Sequence, residues 1–120
     1  MLNRWSKGMT EIRWGYEQAN CRGDYALSLF LDDIQRLLDH YEARDGQVEL
    51  NLLDAQAAAN KLIGAYQINA RGTQAFERQS IEIRSIVNAQ DRIQFVPIFS
   101  AGLKQNLLRL LKRSNQTNLH

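Results

Sequence analysis

The chain has 120 residues, a formal net charge of +2, one proline and one cysteine. That length reads as a single domain, 1–120, able to bury roughly two thirds of its unfolded surface, so a core needs no covalent staple, and Cys21 has no second cysteine to pair with. No apolar run approaches the ~20 residues that span a bilayer, and Met1 to Arg22 mixes apolar residues with charges instead of forming a signal-peptide core. A soluble cytoplasmic protein is the expectation. Abundant Ala, Leu, Gln and Arg beside so little proline predicts an all-α fold, a bundle of four to five helices.

In chain order, Trp5, Met9, Ile12, Tyr16 and Ala19 fall on one helical stripe, interrupted by Gly8 and Gly15. Each glycine costs a helix interior about 1 kcal/mol relative to alanine, so this segment gains its order by docking. Residues 1–8 read as a candidate disordered end. Trp14 lies off the stripe. It reads either as an anchor for a partner or as a cover for the domain's own edge.

The clearest period runs from Asp24 to Arg44. Leu27, Phe30, Leu31, Ile34, Leu37, Leu38 and Tyr41 form one apolar stripe, and Ser28, Asp32, Asp33, Gln35, Arg36, Asp39 and Glu42 form the opposite, polar face. Asp24 is placed to cap the start and Asp45-Gly46 to end it. Asp33 and His40 share a face of this helix, yet no second motif supplies the remaining ligands of a metal site. A solvated histidine and an ion pair between Asp32 and Arg36 are the simpler reading.

Asn51 is placed to cap a second helix running to about Ala70, with a stripe of Leu52, Ala55, Ala59, Leu62, Ile63 and Tyr66. Its alanine-rich half lets another helix approach closely, as in a helix hairpin. A helix-turn-helix DNA reader fits poorly, because with Gly64 as the turn Gly72 breaks the recognition helix. Gly72 is more simply the breaker after the second helix, with Thr73 capping a third to about Asn88. Within it Ile81, Ile83, Ser85 and Val87 also alternate like a strand, but Glu77, Arg78, Gln79, Glu82 and Arg84 favour helix.

Residues 92–99 differ in kind. Branched and aromatic residues with Pro97 predict a short extended segment that covers the helices or pairs with its counterpart in another subunit. Ser100 caps a last, basic helix with Leu103, Leu107, Leu108, Leu110 and Leu111. The polar end, 114–120, reads as a disordered tail.

Charge is unevenly spread. Asp24 to Asp54 holds eight acids and two bases, whereas Ser100 to the end holds Lys104, Arg109, Lys112 and Arg113 and no acid. The basic end suits nucleic acid or an acidic partner. The simpler reading is attraction to the acidic helix, within or between subunits.

No nucleotide loop, metal quartet or nucleophile signature is present, so no cofactor and no enzymatic activity are expected. Several apolar stripes in so short a chain point to a small, homodimeric interaction regulator of the adaptor, chaperone or anti-activator type. Its partner is another protein, for which a transcription factor is one candidate. The contact residues expected are Trp14, Phe95, Ile98 and Phe99, then Leu107 and Leu111. The alternative is a transcriptional regulator that binds nucleic acid through Lys104, Arg109, Lys112 and Arg113.

Overall fold

Four helices and a β-hairpin make up the fold in a computed structural model that describes residues 4–20, 26–68 and 78–117. The order is α1 (Lys7–Asn20), α2 (Ala26–Ala43), α3 (Val48–Ala65), β1 (Ile81–Val87), β2 (Ile93–Phe99) and α4 (Ala101–Thr117). The all-α expectation is therefore corrected to an α+β fold, and the bundle to helices packed around a two-stranded antiparallel sheet. Where a helix is expected from Thr73 to Asn88, residues Ile81–Val87 form a strand. Residues 78–80 carry no helix either, and 73–77 lie outside the described residues.

The alternation explains that outcome. Ile81 and Ile83 are buried while Glu82 and Arg84 are exposed, the two-residue period that sends successive side chains to opposite faces. The extended segment at 93–99 then finds its partner within its own chain. The register pairs Ile81 with Phe99, Ile83 with Pro97, Ser85 with Phe95 and Val87 with Ile93. Asn88 sets the turn: its Oδ1 accepts from the N–H groups of Gln90 (2.9 Å) and Arg92 (3.0 Å). Asp91 takes the left-handed backbone, φ 58°, that three-residue hairpin loops require at this point.

Helix amides and a carboxylate guard the edges of this hairpin. Asn60 of α3 donates to the carbonyl of Ile81 (2.8 Å) and accepts from its N–H (2.9 Å), and Gln56 accepts from the N–H of Ile83 (3.0 Å). On the other edge Glu42 of α2 accepts from the N–H of Phe95 (2.9 Å), and Pro97 has no N–H to offer. Pro97 is tolerated because its position faces away from β1 in the ladder.

The hairpin's inner face, Ile81, Ile83, Phe95, Pro97 and Phe99, packs on the α2 stripe of Phe30, Leu31, Ile34 and Leu38. Phe99 meets Trp5 and Phe30 edge-on at 5.9 and 6.4 Å, and Phe30 meets Tyr66 at 5.7 Å. From the other side α1 brings Met9, Ile12 and Tyr16, all buried, and α4 brings Leu103, Leu107 and Leu111. Gly15, an apparent interruption of α1, makes room for α4. A Cβ at this position would lie 2.5 Å from Leu111 Cδ2.

Two helix boundaries differ from the sequence reading. α3 begins at Val48, so Asn51 sits in the first turn, buried, and its amide donates to the Arg44 carbonyl (3.2 Å). It ends at Ala65, short of Ala70, because Gln67 turns left-handed (φ 54°) and Ile68 N–H returns to Ile63 C=O at 2.9 Å. That closure satisfies the last carbonyls and buries Ile68 against Ile63. The cap of α4 is as expected, with Leu103 N–H on Ser100 Oγ at 3.2 Å, and the helix runs on to Thr117.

Candidate interaction surface

α3 is the helix that positions this surface. Asn60 and Gln56 face the β1 edge, and Ala55, Ala59 and Ile63 lie to one side of that row, buried in the core. On a 3.6-residue helix Leu50, Leu53, Ala57 and Gly64 lie to the other side, and all four are exposed. The hairpin divides the same way. Its inner face meets α2, and its outer face carries Ile86, Val96 and Ile98 between Glu82, Arg84 and Gln94.

The two outer faces adjoin. Pairing Asn60 with Ile81 and Gln56 with Ile83 makes α3 antiparallel to β1. Leu53 then lies one helical turn further on, where β1 continues to Ser85 and Ile86. The result is one apolar face away from the core, led by Leu50 (54% exposed), Leu53 (64%), Ile86 (40%) and Ile98 (37%). Two ion pairs lie on and around it: Arg84 with Glu82 at 3.1 Å and Arg44 with Asp54 at 3.6 Å.

Of the six contact residues expected from sequence, Trp14 is the most exposed (62%) and Ile98 lies on the outer face just described. Phe95, Phe99, Leu107 and Leu111 fill the monomer's own core. The strand period separates them, since Phe95 and Phe99 point inward and Ile98 between them points outward. Leu50 and Leu53 were not singled out by sequence because the stripe chosen for α3 was its buried one. Their signal was available: α3 is apolar on both sides, the pattern of a helix buried all round.

Among the described residues, Lys104, Arg109 and Lys112 of α4 form no ion pair with a carboxylate. Lys104 is half-buried, Arg109 and Lys112 are exposed, and the side chain of Arg113 is outside the described residues. Arg109 donates to Asn106 of its own helix. The acids of α2 are engaged elsewhere, Asp39 and Glu42 by Arg4 (2.8 and 2.9 Å), Asp32 by Arg13 (2.9 Å) and Asp33 by Arg36 (3.9 Å). Arg4 is itself buried, and with Glu42 it ties the N-terminal segment to both α2 and β2. Nothing in the local sequence around Arg4 signals that role.

Asp33 also accepts the hydroxyl of Tyr66. That hydrogen bond, followed by burial and the charge of Asp33, holds the phenol above its ordinary pKa. His40 stacks edge-on against Tyr41 at 5.1 Å. Among the described residues no three metal-ligating side chains converge, and no helix is long and apolar enough to cross a membrane. Compared with protein-family models, curated proteins and solved structures, the chain matches none.

Proposed function

We propose that this protein acts by binding another protein through the outer face of α3 and the hairpin, as a small regulator of the adaptor, chaperone or anti-activator type. One observation carries the reading: two neighbouring elements are apolar on both sides, yet the monomer covers only one side of each. β2 reads Ile-Gln-Phe-Val-Pro-Ile-Phe, a run suited to a strand buried on both faces, and α3 shows the equivalent pattern for a helix. Apolar patches of this kind, rimmed by paired charges, are what protein interfaces use at their centres.

The test compares the wild-type chain with the double variant Leu53→Lys, Ile98→Lys as bait for partners from the native extract. Both positions are exposed, so helicity and melting temperature stay close to wild type. Partner affinity is expected to fall at least ~30-fold, equivalent to about 2 kcal/mol. Equal capture by both baits would count against this face.

A second reading, nucleic-acid binding through α4, is favoured by the unpaired state of Lys104, Arg109 and Lys112 towards carboxylates among the described residues. Three phosphate contacts predict a slope of log affinity against log salt near about −3 on duplex DNA. Lys104→Glu with Lys112→Glu is expected to abolish retention. Absence of retention of the wild-type chain at low salt removes this reading.

A further inference from the structure

The exposed row on α3 has a second property, and it identifies an occupant. Leu50, Leu53, Ala57, Lys61 and Gly64 are all exposed, and their spacings of three, four, four and three keep them on one side of the helix. The row is also symmetric in position about Ala57, and its two ends, Leu50 and Gly64, are opposite in size. Leu50 and Gly64 stand seven residues to either side of it, and Leu53 and Lys61 stand four to either side.

We propose that a second copy of this chain occupies the face, with α3 packed antiparallel on α3 across a two-fold axis at Ala57. This rests on the reading of the α3 and hairpin face as an interaction surface and names its partner. Around that axis Leu50 of each copy meets Gly64 of the other, a large side chain over a position with none. There is room for it, since nothing lies within 4 Å of where a Cβ on Gly64 would be. Ala57 meets Ala57, which lets the helix axes come close. Leu53 lies along the aliphatic stem of Lys61, whose ammonium group reaches Asp54 of the second copy.

Charge supports the same arrangement. Among the described residues Asp54, with its side chain 58% exposed, has one ion pair, the 3.6 Å contact with Arg44, and Lys61 has none. Across the axis each copy gives one Lys61 and receives one, so two equivalent pairs form. With Glu82 and Arg84 already paired to each other, Lys61 is the charge in the exposed row that is left without an ion pair among the described residues, and the two-fold axis sets it beside Asp54 of the other copy. A two-fold contact of this kind is isologous and closes at two subunits.

Sedimentation velocity from micromolar to submillimolar concentration is expected to show a monomer–dimer equilibrium for the wild-type chain. Lys61→Asp sets like charges together twice per dimer and weakens association about tenfold or more, and adding Asp54→Lys restores it. In a Cys21→Ser background, Ala57→Cys is expected to join two copies by a disulfide under copper–phenanthroline, because the axis brings the two Cα atoms within the roughly 4–7 Å that such a bond spans. Circular dichroism checks that each variant keeps its fold. A wild-type chain that stays monomeric throughout overturns the proposal, as does a dimer that ignores both charge changes and gives no cross-link at position 57. If the chain is monomeric while Leu53→Lys, Ile98→Lys still loses its protein partner, the second copy is refuted and the interaction face stands.

Discussion

α2 and α3 are both 18 residues long and lie against each other, yet they relate to water in opposite ways. α2 has one apolar side and one charged side, and its charged side is used up within the chain by Arg4, Arg13 and Arg36. α3 has small and apolar residues on both sides, and the chain covers only the side bearing Ala55, Ala59 and Ile63. A helix whose two sides differ can be completed by one molecule. A helix whose two sides are alike has one left over.

Substitutions sharpen that contrast, beginning with the largest effect. Phe30 on α2 is fully buried and touches the rings of Tyr66 and Phe99, so Phe30→Ala is expected to cost about 3–5 kcal/mol in urea unfolding. Next, Ala59 and Ala57 test the two sides of α3 with the same change. Ala59→Leu forces a larger side chain into a site with no exposed surface and should cost about 1–3 kcal/mol. Ala57→Leu in dilute solution should stay within about 0.5 kcal/mol of wild type. Equal costs would erase the distinction between the two sides.

The smallest effect concerns the tie between the helices. Tyr66, which caps the end of α3, donates to Asp33 on α2, and its phenol titrates above its ordinary value in the folded chain. Because the folded state holds that proton more tightly, the contribution is fully present below the unfolded pKa of about 10 and is lost as pH rises through the folded value. Spectrophotometric titration of phenolate should therefore show a late component that is lost in Tyr66→Phe. Stability should decline more steeply above about pH 10 in the wild type than in that variant.

Much of this architecture was legible because most of its helices are one-sided. The stripes of α1 and α2 and the Ser100 cap of α4 follow directly from residue spacing. β1 was hidden because residues 81–87 satisfy both periods, and only pairing with 93–99 decides between them. What the helices do at a distance was not legible at all. Gln56 and Asn60 bond strand residues 27 and 21 positions away, and Arg4 reaches Glu42, 38 residues on. Of the six contact residues expected, Trp14 and Ile98 are exposed, whereas Phe95 and Phe99 turn inward with the pleat and Leu107 and Leu111 turn inward on α4.

The guarded hairpin has a consequence for how this molecule can fail. A strand as oily as β2 is the kind of segment that stacks into cross-β fibrils when its main chain is free to template copies. Here an imino acid and a borrowed carboxylate deny that template on one flank, while two carboxamides occupy the start of the other. Main-chain pairing with further copies is thereby blocked along these stretches, which leaves side chains as the groups open to contact, and side-chain contacts, unlike peptide ladders, can saturate at a small count. Asn60→Ala and Gln56→Ala together should thus raise thioflavin-positive aggregation on prolonged incubation.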